Sequence, residues 1–310
     1  MPAPSGGVRV AAGLSVTAAF LWATYYIFVL SVGSGPAAIV AWPFLSAGVI
    51  YLVYTIYLGH FREFLGLWRS PMAYARALFL IGMQVSVLAS TYVAGPVDTS
   101  LLSLVGDAAL TPLLLIAIYR EGIDRARSPF FLGGLALSIG GATLTIVGGQ
   151  GTQAIVGVGW LVAPAVPLTV ALYFLLSARA SLSVPSSAVI AQAMLAGTLG
   201  TILLSPLLPG GLGGLSIGSW HDAAFLVALG VTSFFLAQVF YFKAIELAGI
   251  FLPTLLMATI PVFTLIVAVT ILGESATWIA LAGIPIAVGG GLLAMRGSHA
   301  AWTPTYATAP

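Results

Sequence analysis

Ten stretches of this sequence run for about twenty residues each with almost no charge, the length at which a helix crosses a hydrocarbon core of roughly 30 Å. They cover residues 10–31, 35–58, 72–94, 97–119, 129–148, 156–178, 186–208, 221–243, 249–272 and 278–295. A transmembrane strand needs only about ten residues of alternating character, so runs of this length argue against a barrel. Helices satisfy their own backbone hydrogen bonds in lipid. The expected fold class is an all-α polytopic membrane protein with ten transmembrane helices.

The charge count supports this reading. Of 310 residues, 10 are Lys or Arg and 8 are Asp or Glu, while 60% are hydrophobic. A soluble domain carries about 25% charge, which leaves this chain no material for a wetted surface. Intrinsic disorder needs low hydrophobicity. Nucleic-acid binding needs a basic patch, and a net charge of +2 spread along the chain is not one. Without cysteine there is no disulfide scaffold. The run from Val10 to Leu30, preceded only by Arg9, is too long for a signal-peptide core. No phosphate-binding loop and no zinc-ligand spacing occurs, so no metal, cofactor or ATP hydrolysis is expected.

The basic residues orient the spans. Arg9, Arg62, Arg69, Arg76, Arg120, Arg125, Arg127, Arg179, Lys243 and Arg296 all fall on one side of a ten-span arrangement. By the positive-inside rule that side is cytoplasmic, as are both termini, and the expected location is the inner membrane. Residues 297–310 read as a mobile cytoplasmic tail. Phe61, Phe64, Leu65 and Trp68 share one face of the linker 59–70, which reads as a short helix lying in the interface.

The chain also repeats itself. Gln84 matches Gln238, and Ala94-Gly95 matches Ala248-Gly249, each 154 positions later. Glu121 then matches Glu274, and Gly133, Gly140 and Gly141 match Gly283, Gly290 and Gly291. Pro36 pairs with Pro185 and Gly48 with Gly197. Residues 1–150 and 151–296 thus read as two units of five helices. Five is odd, so the second unit enters the membrane inverted, an arrangement used for alternating access.

The stretch from Ala248-Gly249-Ile250 through Pro261-Val262-Phe263, Leu272-Gly273-Glu274-Ser275 and the Gly283–Gly291 run resembles the end of an EamA-type repeat. That repeat belongs to the drug/metabolite transporter superfamily. The resemblance implies ten helices in two inverted halves around a central cavity, and movement of small organic solutes, mostly outward. Two departures stand out. The family's Arg near the start of the second helix is replaced by Trp42-Pro43-Phe44 and by Ala191-Gln192-Ala193. Where helix nine has Pro261, the first half has Asp107, with Pro112 one turn later.

Asp107 is the most informative single residue. A carboxylate at mid-bilayer costs at least about 2.5–3.5 kcal/mol on insertion scales, so it should face a cavity or a partner. Ser100, Ser103 and Thr111 share its face at helical spacing, forming a polar stripe. The stripe reads as a pathway wall, with Asp107 pairing a solute ammonium or carrying a proton. It reads alternatively as a neutral structural acid among hydroxyls. Gln84 and Gln238 either bind a solute or bond between helices. Gln192 is a weaker candidate. Trp22, Tyr26, Trp160 and Tyr173 offer faces to a cationic or an aromatic solute, or simply pack.

Pro164, Pro167 and Pro261 are candidate kinks or gates. Small residues at Gly134, Ser138, Ala142, Gly283, Ala287 and Gly291 mark spans 5 and 10 as a scaffold or dimer contact. His221-Asp222 reads as a neighbour pair at a helix start, a cap rather than a catalytic dyad. The function expected is a secondary transporter for an amino acid or related metabolite, working by alternating access. Export follows from the resemblance alone. The partners expected are the solute, membrane lipid and, as a candidate coupling ion, the proton, with the chain a monomer or homodimer. Two alternatives remain. One is an importer or facilitator of a cationic, quaternary-amine or nucleoside-like solute. The other is a membrane enzyme on a lipid-linked substrate, for which Asp98, Asp222 and Glu274 share a side without forming a motif.

Overall fold

The computed structural model describes residues 6–119, 128–148, 160–249, 251–273 and 277–298, and these contain helices and no strand. We number the α-helices in chain order. α1 is Gly6–Ala23, α2 Tyr25–Ser31, α3 Pro36–Tyr57, α4 Phe61–Leu67 and α5 Pro71–Ala94. α6 is Pro96–Leu104, continued by a π-helical segment Val105–Leu110 and α7 Thr111–Tyr119. α8 is Pro129–Gly148, α9 Trp160–Ala180 and α10 Ser186–Leu204. α11, Trp220–Leu229, runs through a second π segment, Gly230–Leu236, into α12, Ala237–Ala248. α13 Phe251–Leu256 meets a 3-10 turn, Met257–Thr259, before α14 Ile260–Thr270, and α15 is Trp278–Ser298.

Five runs among the described residues are long and apolar enough to cross a membrane: Gly7–Ser31, Pro36–Tyr57, Pro71–Ala94, Ser186–Leu207 and Trp220–Ala248. Pro129–Gly141, Pro164–Ala180, Ile260–Thr270 and Leu281–Leu293 are shorter apolar helices. Local chemistry sets the boundaries. Proline opens α3, α5 and α6, where its missing N–H costs nothing. Gly95 (φ 88°) and Gly249 (φ 70°) end α5 and α12, donating their N–H groups to Thr91 O at 3.1 Å and Ile245 O at 2.7 Å. That backbone favours glycine, so both tight reversals fall at the repeat-matched positions.

Helices from the first half of the chain pack chiefly on helices from the second. α3 packs on α10, α5 on α9, α1 on α12 and α6 on α14. The most extensive contact among the described residues joins α8 to α15. Here Ser138 Oγ donates to Ala287 O at 2.8 Å, and the two backbones approach directly. A Cβ on Gly141 would collide with the backbone of Gly283 and Ala287, and one on Gly290 with Gly134, Leu137 and Ser138. The small-residue stripes of spans 5 and 10 therefore meet each other within the chain. In lipid such seams hold by close packing rather than by a hydrophobic drive.

Two peripheral readings shift. α4 forms as expected, but it turns Phe64 and Leu67 inward and leaves Phe61 and Leu65 exposed. The cap of α11 is Ser219, whose Oγ accepts from Asp222 N at 3.1 Å. Asp222 itself accepts from Ser34 Oγ at 2.8 Å and Gly33 N at 3.3 Å, clamping the α2–α3 turn to α11.

The seam predicts a sharp contrast between adjacent glycines. Gly141→Ala should lower the melting temperature of the detergent-purified protein, the overpacking costing about 1–3 kcal/mol. Gly140→Ala, whose Cβ would meet nothing within 4 Å, should melt with the parent. Equal melting of the two variants would contradict the packing described.

Candidate functional site

A cavity of about 80 Å³ lies where α1, α2, α5, α6, α9, α14 and the second π segment converge with α12. That is room for several waters or a small compact group. Trp22, Tyr25, Tyr26, Gln84 and Ser103 line it from the first half of the chain. Phe174, Ser233, Phe234, Gln238 and Ile260 line it from the second. No lining residue among those described carries a charge.

Each half contributes one buried tyrosine–glutamine pair. Gln84 Nε2 on α5 donates to Tyr25 Oη on α2 at 2.5 Å. Tyr173 Oη on α9 donates to Gln238 Oε1 on α12 at 2.9 Å. The two glutamines occupy matched positions, as do their helices. Both amides retain bonding capacity, because an amide offers two N–H donors and a carbonyl with two lone pairs. They are the polar handles of a cavity that is otherwise mainly aromatic.

Aromatic rings close one side of this space. Trp22, Phe174 and Tyr241 contact one another edge to face, with centroids 5.1–5.5 Å apart. Tyr173 joins Phe174 at 5.0 Å, and Phe242 joins Tyr241 at 5.5 Å. Trp22 stands in the last turn of α1, Tyr173 and Phe174 in the C-terminal half of α9, and Tyr241 and Phe242 midway along α12. These rings form a floor beneath the tyrosine–glutamine pairs. Trp22 thus both lines the cavity and seals it.

The helices bordering the cavity are irregular at matched places. The π segment Val105–Leu110 follows Ser103, and the 3-10 turn Met257–Thr259 precedes Ile260. π-bulges recur at functional sites because they redirect side chains. Gly106 permits the first segment to press on α9, where a Cβ would collide with Pro167 O. Pro167 is buried at this crossing and Pro164 is exposed. Pro261 is buried in the first turn of α14.

The residues singled out from sequence distribute as follows. Trp22, Tyr26, Gln84, Ser103 and Gln238 line the cavity, and Tyr173 holds Gln238 from beside it. Ser100 and Thr111 are fully buried, and their hydroxyls donate to Val97 O and Gly106 O within their own helix. The π turn between Ser103 and Thr111 adds a residue, so spacing counted at three and four no longer tracks one face across to Thr111, whereas Ser100 parts from Ser103 within the regular helix α6. The backbone of Asp107 sits in that π segment, and its side chain and that of Trp160 lie outside the described residues. Glu121 and Glu274 also lie outside them. Sequence reasoning did not select Phe174 or Phe234, and from the cluster of Trp22, Tyr25 and Tyr26 it took only Trp22 and Tyr26 as site residues. Tyr25 was legible as a partner for Gln84 only through the weaker correspondence between helices one and six.

Comparison with known proteins agrees with this architecture. Residues 156–296 match the model of the EamA-like transporter family. No curated protein matches the sequence significantly. A solved crystal structure superposes with a TM-score of 0.68 at 21% identity, over 93% of this chain and 97% of the other. At that identity the likeness concerns the fold.

The floor and the paired amides make different predictions for stability. Trp22→Ala removes two ring contacts and should cost about 3–5 kcal/mol, read as a large fall in melting temperature. Gln84→Leu should cost about 1–3 kcal/mol, the penalty for leaving the Tyr25 hydroxyl unpaired. A Trp22→Ala variant as stable as the parent would contradict the packed floor.

Proposed function

We propose, taking as premise the EamA-like transporter domain at residues 156–296, that this chain is a multi-pass secondary transporter for a small organic solute. The solute class that fits best is an amino acid or related metabolite. The single observation that carries the reading is the paired cavity. One tyrosine–glutamine pair from each half flanks a space that neither half encloses alone.

Ten spans in two inverted units, 1–150 and 151–296, account for the cross-packing. The partnerships α1 with α12 and α9 with α5 exchange under the repeat, while α3 with α10, α6 with α14 and α8 with α15 map onto themselves. Rocking of one unit against the other would open the cavity to each side in turn. Amides and aromatic rings suit the body of an amino-acid-like solute, and the two glutamines would bond its polar groups. α8 and α15 would remain a fixed scaffold. The one-sided basic residues support a reading with both termini in the cytoplasm of an inner-membrane protein, and export is proposed from the family's usual direction. Asp107, one turn from Ser103 in the π segment, is the candidate proton carrier.

The test is counterflow in proteoliposomes made with the purified chain. Preloading with an unlabelled amino acid should drive saturable uptake of the labelled one. Gln84→Ala combined with Gln238→Ala should reduce it at least about tenfold, because both polar handles are removed. Asp107→Asn should retain counterflow while abolishing pH-gradient-driven accumulation. Saturable counterflow for no solute class would contradict the transporter reading. Undiminished counterflow in the double variant would contradict the placement of its site.

A further inference from the structure

Beneath the aromatic floor, the ends of α3, α5, α9 and α10 meet at one end of the bundle. The sequence places an arginine there, and the structure buries it. Arg76 is 2% exposed, and among the described residues its Nη2 donates to Gln192 Oε1 at 3.3 Å. Among the described residues its Nε has no partner, nor does the Nε2 of the fully buried Gln192. The hydroxyls of Ser187, at the start of α10, and Thr55, near the end of α3, are also buried with no partner among the described residues. A guanidinium stays charged, so it carries its positive charge into this interior against a neutral amide.

A structural arginine in such a place is ordinarily matched by a carboxylate that fills its donors. This one has a neutral partner and spare donors. The guanidinium fork fits a carboxylate with two parallel bonds, and the Gln192 amide adds a further donor beside it. One positive charge suits a monoanion. The cavity above offers no charge among its described lining residues, so an anionic solute finds its counter-charge elsewhere. Tyr173 connects the two places: its hydroxyl bonds Gln238, which lines the cavity, and its helix α9 packs along α5, which carries Arg76.

We propose that this end of the bundle is a second binding station, closed in this structure, where Arg76 and Gln192 hold the carboxylate of the transported solute once the helix ends part. The proposal rests on the transporter reading and narrows the solute to carboxylates. The Arg76–Gln192 bond is then the closed-state substitute for the solute, and displacing it couples occupancy to opening.

The chain has no cysteine, so Ser187→Cys, buried in the first turn of α10 on the N-terminal side of Gln192, provides a single reporter at this end of the helix. Its alkylation by a soluble maleimide is followed in the purified full chain with phenylacetate, or with its neutral isostere phenylacetamide. Phenylacetate should change the rate saturably and phenylacetamide should not. In Arg76→Gln the half-effect concentration of phenylacetate should rise about tenfold or more, with partial recovery in Arg76→Lys. Should Arg76→Gln fail to fold, Gln192→Leu carries the same expectation. Equal responses to acid and amide, no response to phenylacetate, or an unchanged half-effect concentration in the variants each overturn the station. Counterflow in the parent alongside any of those results would leave the transporter standing without it. Carboxylate-specific protection without counterflow would leave the station standing and remove the transporter.

Discussion

Everything in this fold depends on helices approaching closely where lipid supplies no hydrophobic drive to push them together. Small residues make that approach. Gly141 and Gly290 bring α8 and α15 into backbone contact. Gly48 on α3 lies against Met194 and Leu195 of α10, and Gly197 on α10 lies against Phe44 of α3. These contacts join the two halves of the chain, so neither half has a complete core alone. The cavity is a consequence: it is the space left where the cross-paired helices carry large aromatic side chains instead of small ones.

The same apolar surroundings explain the polar groups. Serine and threonine hydroxyls such as those of Ser100 and Thr111 bond carbonyls of their own helix. The glutamines instead bond tyrosines on other helices, which fixes the walls of the cavity while leaving amide capacity over. At the far side of the aromatic floor this economy breaks down. Arg76 and Gln192 satisfy each other only in part, and a buried charge without its counter-charge costs several kcal/mol. Groups left in that condition are expected where a second state, or a ligand, completes them.

The helical plan was legible because hydropathy and length are read directly from the chain. The span starts drawn at 35, 72 and 97 fall within one residue of the helix openings at Pro36, Pro71 and Pro96. Gln84 and Gln238 were legible as a pair through their shared separation in sequence. The continuation of the stripe from Ser103 to Thr111 was not, because a π turn leaves no hydropathy signature and breaks the regular count. Arg76 was read as an orienting charge at a helix edge. Its burial depends on α10 packing over it, a tertiary fact that no local pattern contains. Phe174 and Phe234 looked like any other apolar residues in apolar helices.

The central claim is that two halves move about one shared cavity, and distances between spin labels test it most directly. In the cysteine-free chain, one pair placed at Tyr57 and Leu182 spans the Arg76 end, and a second at Tyr92 and Leu212 spans the opposite end; all four sites are exposed. Pulsed electron paramagnetic resonance with and without a solute that supports counterflow should show both distances shifting in opposite senses, one end closing as the other opens. Distances that stay fixed, or that change in the same sense, would contradict alternating access through this cavity.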